Sequence, residues 1–277
     1  MDDFLIAQNI PVDDMGFLYG FNLFETFLIS QNSSVFLLDK HLDRMYASMD
    51  FFDFNFSIEK EELKSALLKY IHSNLIKNKV LRVSVSCGNK LKDIKSSLAL
   101  SLRDNPIKSR ELPLRQYKLC ISKLIKNETS IIARHKTANY LENYLESVRA
   151  SKAGFDDALF LNTQSHIAET TRCNIFFVSA GVLFTPDVSC GILPGIIRDW
   201  VIELVAGMGI QCVQGSFDVE MLARADEIFV TNSVVGIMPV YGVQDMYVNT
   251  SDGHITKMLM NEYRNTTHPP APSLRCP

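Results

Sequence analysis

The chain has 277 residues, 47% of them hydrophobic, and a formal net charge of −3 at pH 7. The length allows two domains of roughly 100–200 residues each, and the charge balance excludes the clustered basic excess of a nucleic-acid-binding surface. No apolar run reaches the roughly 18 residues that span a bilayer, and Asp2 and Asp3 stand where a secretory signal carries bases, so the expected location is cytoplasmic, with no membrane partner.

In chain order, Phe4-Leu5-Ile6 and Phe24 to Ile29 read as strands. Val35 to Leu38 reads as another, leading into a helix over about Asp39 to Phe52 with Leu42, Met45, Tyr46 and Met49 in its apolar stripe. A second helix is expected over about Ile58 to Leu75, with Leu63, Leu67, Tyr70 and Ile71 inward. Val80 to Cys87 and Leu98 to Leu102 alternate as antiparallel strands do. Asn105 to Gln116, with two prolines and several charges, is the expected linker between a small first domain (1–112) and a larger second one (117–277).

The second half opens on a strand, Tyr117 to Leu124, with one wet face. An amphipathic helix then follows Lys136, with Leu141, Leu145 and Val148 at helical spacing as its packing stripe. Asp157 to Asn162, Ile167 to Val178 and Val182 to Thr185 read as strands joined by turns at Thr163 to His166 and Ser179 to Gly181. Leu193-Pro194-Gly195 turns into a helix ending near Met208-Gly209, with Ile197, Val201, Leu204 and Met208 inward. A short helix from about Asp218 to Ala225 precedes a buried strand, Glu227 to Thr231. The tail Thr266 to Pro277 carries four prolines and is expected to be disordered or lightly pinned. The six cysteines and six histidines show no metal-ligand or redox spacing, so no metal site is predicted.

Chemistry is concentrated in a few places. Lys136, just ahead of a packed helix, has a fixed backbone and an amine able to form a Schiff base with a cofactor aldehyde. The ordinary alternative is a solvated surface lysine. Glu169, in an apolar strand region, needs a cationic partner or must neutralise. A pyridinium nitrogen is one such partner; a surface position, or a pair with Arg172, is the other reading. Leu193-Pro194-Gly195-Ile196-Ile197 opens a helix and so presents free N–H groups suited to a phosphate, as well as being plain helix punctuation. Thr231-Asn232-Ser233, at a strand end, can cap a phosphate or a carboxylate, or serve as turn residues. Arg44 offers a bidentate guanidinium to a phosphate dianion; a solvated arginine paired with Asp43 or Glu25 is its plain alternative.

The ordered set Leu23-Phe24-Glu25-Thr26, His41-Leu42-Asp43-Arg44, Lys136-Thr137-Ala138-Asn139-Tyr140, Asp157 to Asn162, Glu169 with Asn174-Ile175-Phe176, Leu193-Pro194-Gly195-Ile196, Ala225 to Ile228, Thr231-Asn232-Ser233 and Met238-Pro239-Val240 resembles the class IV aminotransferases. That family includes branched-chain and D-amino acid aminotransferases and aminodeoxychorismate lyases. The resemblance implies an α+β, two-domain fold-type IV architecture like that of D-amino acid aminotransferase, with a small N-terminal α/β domain and a larger β-rich C-terminal one. It implies pyridoxal 5'-phosphate as cofactor, a small amino substrate, and a homodimer with interface active sites. It assigns Lys136 the imine and the proton shuttle, and Glu169 the pyridine nitrogen. Arg44, the Ile196 and Ile197 backbone and Ser233 take the phosphate, with Asn232 at the same strand end and Tyr140 near the ring hydroxyl.

The chain also departs from the family pattern. Phe21-Asn22 replaces a common Asp-Gly after Gly20, Cys87 stands where D-amino acid aminotransferases are basic, Phe24 replaces a tyrosine, and Thr170 replaces a glycine. These departures favour a lyase that releases 4-aminobenzoate and pyruvate from 4-amino-4-deoxychorismate, a step toward folate, over an amino acid aminotransferase. A ligand-binding member without turnover is the third reading, opposed by the joint presence of Lys136, Glu169 and Arg44.

Overall fold

The computed structural model describes residues 10–107, 116–247 and 253–267. The expected strand Phe4-Leu5-Ile6, most of the linker and the last ten residues of the tail lie outside them. The chain divides into two compact units, 1–105 with 129–145, and 106–128 with 146–277.

In the first unit a short helix α1 (Met15–Tyr19) precedes strand β1 (Asn22–Ile29), helices α2 (Leu38–Phe51) and α3 (Lys60–Ser73), and strands β2 (Lys79–Ser86) and β3 (Leu98–Asp104). The strands form an antiparallel sheet in the order β1-β2-β3. Strand alternation decides what each face of β1 carries. Leu23, Phe27 and Ile29 enter a core with Leu42, Met45 and Met49 of α2 and Leu63, Leu67 and Ile71 of α3. Phe24 and Thr26 point the other way, with their register partners Ser84 and Arg82. Burying the larger of these core side chains contributes roughly 1.5–3 kcal/mol each.

The stretch expected as a strand at Val35 to Leu38 makes only one bridge, Ile29 with Val35. The Ser30 hydroxyl accepts from the N–H groups of Asn32 and Ser34, both at 3.1 Å, which closes a turn. Leu37 then takes a left-handed conformation (φ 53°) and α2 begins at Leu38.

The second unit contains β4 (Tyr117–Lys126), β5 (Asp157–Asn162), β6 (Ile167–Thr170), β7 (Asn174–Ser179) and β8 (Val182–Pro186). Helix α4 (Leu141–Lys152) comes between β4 and β5. After β8 come α5 (Ile196–Gly207), β9 (Cys212–Gly215), α6 (Val219–Ala223), β10 (Glu227–Asn232), β11 (Gly236–Val243), β12 (Met246–Tyr247) and α7 (His254–Thr267). The mixed sheet runs β6-β5-β4-β11-β10-β7-β8-β9, with β12 beside β11. β4 pairs in parallel with both β5 and β11, and β8 with β9. β7 and β10 are buried through five consecutive residues each, as strands covered on both faces are.

Four expectations change. The strand expected over Ile167 to Val178 breaks at Thr171–Cys173, because buried Asp157 draws in the hydroxyls of Thr170 and Thr171, and Thr170 Oγ1 accepts from Cys173 N at 2.9 Å. The α4 stripe turns outward: Leu141 is 69% and Leu145 51% exposed. Its buried residues are Glu146 and Ala150, the former accepting from Ser122 Oγ at 2.8 Å. In α5 the inward residues include Val205, whereas Met208 is exposed. Thr266 and Thr267, expected in a disordered or lightly pinned tail, end α7, whose first turn is capped by Glu227 accepting from Ile255 N and Thr256 N. Among the described residues, no helix is long and apolar enough to cross a membrane, and no His, Cys, Asp and Glu side chains gather into a group able to hold a metal.

Candidate active site

In the first unit, Lys136 lies on a short extended segment laid against β1. Its carbonyl accepts from Phe24 N at 2.9 Å, Ala138 N donates to Asn22 O at 2.8 Å, and Thr137 bridges to Leu23. The lysine backbone is therefore set by the strand itself. Its Nζ lies 4.5 Å from the centre of the Phe24 ring and 5.5 Å from that of Tyr140, and the two rings meet edge to face. Arg82, which the sequence reading did not single out, places its guanidinium carbon 3.5 Å from the same Phe24 ring centre. Cations over aromatic faces gain from the ring quadrupole. Arg82 shares the Phe24 face because of the β1–β2 register, and register is the information a single sequence withholds.

Arg44 is held on the other face of β1. Its Nε donates to Glu25 Oε1 and its Nη2 to Oε2, both at 2.8 Å, a bidentate pair. Glu25, fully buried, also binds His41 Nδ1 at 2.7 Å. A carboxylate only accepts, so Nδ1 carries the proton. Burial alone would raise the Glu25 pKa, but the Arg44 charge, the His41 charge and their hydrogen bonds together hold it near 2. Burial lowers the His41 pKa against the pull of Glu25. The plain alternative of an arginine paired with Glu25 is thus realised, in a buried cluster that fixes the guanidinium plane. Ser48 Oγ links α2 to the lysine segment, donating to Arg44 O at 2.9 Å and pairing with His135 Nδ1 at 2.9 Å.

In the second unit, Glu169 is buried on β6. One oxygen is paired with Lys126 Nζ; the other accepts from Asn174 Nδ2 at 3.2 Å and Leu193 N at 3.0 Å. Its cation in this structure is Lys126, not Arg172, which lies 3.8 Å from Asp157. Lys126 ends the strand expected to have a wet face, and nothing in its spacing marks it. The turn at Leu193 to Gly195 leads into α5, whose Gly195 N-cap position brings no side-chain cap. The N–H groups opening that helix belong to Ile196 and Ile197, both buried. A buried, uncapped helix start suits an anion. At the end of β10, Asn232 shapes a loop: its Oδ1 accepts from Val234 N and Val235 N at 2.8 Å, and its Nδ2 lies 3.2 Å from Arg172 O and 3.0 Å from Cys173 Sγ. Both ends of its amide are committed, so the turn-forming reading describes it better than the phosphate-capping one. Ser233 follows in that loop.

The family description "Amino-transferase class IV" matches residues 22–243. A Methanocaldococcus jannaschii protein assigned as a branched-chain-amino-acid aminotransferase is 30% identical, over 92% of this chain and 90% of its own. The aminodeoxychorismate lyase of Bacillus subtilis is 28% identical over 91% and 87%. A crystal structure from Legionella pneumophila, assigned as a 4-amino-4-deoxychorismate lyase, superposes with a TM-score of 0.82 at 25% identity, covering 93% of this chain and 96% of that one. The chain therefore belongs to the class IV aminotransferase family, with the fold-type IV α+β architecture, and is a pyridoxal-phosphate-dependent enzyme of the lyase or aminotransferase kind.

Proposed function

We propose that this enzyme is a 4-amino-4-deoxychorismate lyase, releasing 4-aminobenzoate and pyruvate. The donor set fits pyridoxal 5'-phosphate. Lys136 Nζ would hold it covalently, and Glu169 would hold the ring nitrogen. The Ile196 and Ile197 N–H groups at the uncapped start of α5, with Ser233 and the charge of Arg44, would hold the phosphate. When bound, the cofactor supplies an aldehyde for the substrate amine and a protonated ring that draws off electrons. Lys136 Nζ then accepts the proton of the amine-bearing carbon. The ring C–O bond of the enolpyruvyl ether would then break, enolpyruvate would leave with the electron pair and take up a proton to become pyruvate, and the substrate ring would become aromatic. Tyr140 and Phe24 wall Nζ with aromatic surface, which limits water around the amine.

The lyase reading rests on the shared Phe24 ring, with the Lys136 amine and the Arg82 guanidinium both against it; a guanidinium there would suit a substrate carboxylate. A flat ring carrying an amine and a carboxylate suits that pair. The purified protein, supplied with pyridoxal phosphate and 4-amino-4-deoxychorismate, is expected to release 4-aminobenzoate. No release from protein shown to hold the cofactor would sink the lyase. The likeness to the M. jannaschii protein favours an aminotransferase as second reading, and a screen of amino donors of both hands for keto acid would then decide it.

Glu169→Gln is expected to lower kcat roughly 10²–10³-fold, the scale of one lost electrostatic stabiliser, with a smaller change in cofactor affinity. Equal falls in both would make Glu169 a structural residue. The outward Leu141, Tyr144 and Leu145 of α4, 51–69% exposed, support a homodimer. A cytoplasmic setting accords with the reduced, unpaired cysteines among the described residues.

A further inference from the structure

Glu169, Asn174 and Leu193 form a closed ring of hydrogen bonds. Leu193 N donates to Glu169 Oε2 at 3.0 Å. Asn174 Nδ2 donates to the same oxygen at 3.2 Å and to Leu193 O at 2.9 Å. One amide therefore spends its two hydrogens on the buried acid and on the turn that leads into α5. Its oxygen end packs against the turn itself. A Cβ on Gly195 would lie 1.9 Å from Asn174 Oδ1, so the turn backbone is seated directly on the asparagine. Gly195 has φ −81°, which any residue adopts, so space and not backbone freedom demands glycine there. Asn174 is itself fixed, buried and paired with Thr231 across the β7–β10 ladder.

We propose that Asn174 is a positioning residue that holds the Glu169 carboxylate and the phosphate-binding turn at one fixed spacing. This rests on the reading of Glu169 and the α5 turn given above. A cofactor with a ring nitrogen at one end and a phosphate at the other gains from both contacts only when their separation is set in advance. Without the Asn174 bridge, the single Leu193 N–Glu169 bond is left to tie the turn to the acid, their spacing loosens, and the phosphate contributes less to binding. The sequence shows Asn174 only as part of a family segment; its two-way amide appears once the turn is folded against β7.

The test compares the affinity of the full-length protein for pyridoxal phosphate with that for pyridoxal, which lacks the phosphate. Wild type is expected to prefer the phosphorylated form strongly. In Asn174→Ala that preference should shrink at least tenfold, with circular dichroism unchanged. A merely structural role would weaken both ligands equally and leave their ratio intact, which would overturn the proposal. Gly195→Ala should shrink the ratio in the same way, because its Cβ collides with Asn174 Oδ1. Combining it with Asn174→Ala should be no worse than Asn174→Ala alone, since the clashing oxygen is gone. Multiplying effects in the double variant would also overturn the coupling. A wild-type ratio near one would instead overturn the phosphate reading of the turn, and the coupling with it.

Discussion

Replacing Lys136 with alanine should abolish turnover while leaving the fold intact. Loss of a covalent catalytic group typically costs roughly 10⁴- to 10⁶-fold in rate. The fold should survive because the backbone bonds that seat the lysine segment on β1 do not depend on the side chain. Phe24 N reaches Lys136 O and Ala138 N reaches Asn22 O whatever side chain stands at 136. The half-buried side chain rests beside Phe24 and Tyr140 without filling a core. Thermal unfolding should therefore shift little, while borohydride should no longer fix pyridoxal phosphate to the protein. A variant that kept its borohydride adduct would move the covalent anchor to another lysine. One that kept its activity would remove the enzyme reading built on Lys136.

The sequence carries some of this arrangement and withholds the rest for identifiable reasons. The helices α2 and α3 and strands β1, β2 and β3 follow from the periodicity of their apolar side chains, and β10 from a continuous apolar run, because it is covered on both faces. Periodicity failed where polar side chains reorganise the backbone. Ser30 closed a turn in place of a strand, and Asp157 with two threonines cut one long strand in two. It failed again in α4, where Leu141 and Leu145 face outward and Glu146 faces in. Helical spacing identifies a stripe but not which neighbour, if any, covers it. The candidate site divides in the same way. Lys136, Glu169 and the α5 turn stand out by local chemistry. Arg82, Lys126 and Asn174 matter through strand register and long-range pairing, to which local pattern is blind.

Glu25→Gln should destabilise the first unit strongly, by roughly 3–5 kcal/mol, the usual cost of breaking a buried ion pair from one side. The variant removes the charge opposite the Arg44 guanidinium and leaves one acceptor oxygen, beside an NH2 donor, for three donor contacts from Arg44 and His41. For the same reason Arg44→Ala cannot be read as a phosphate variant alone, because it leaves Glu25 as an unpaired buried carboxylate. The pH dependence separates the two partners. Glu25 has its folded pKa lowered from 4.5 to about 2, so its stabilisation is full above 4.5 and is lost as pH falls through that interval. A shift of that size corresponds to roughly 3 kcal/mol. His41 also has its folded pKa lowered from 6.5, with burial as the largest cause. The unfolded chain therefore takes up that proton first, and stability starts to decline as pH drops below 6.5. Denaturant midpoints measured from pH 7 to 3 should fall for the wild type in both intervals. Glu25→Gln should start lower and lose much of the slope below 4.5. An unchanged acid slope in that variant would show that other carboxylates, not Glu25, govern the acid stability of the protein.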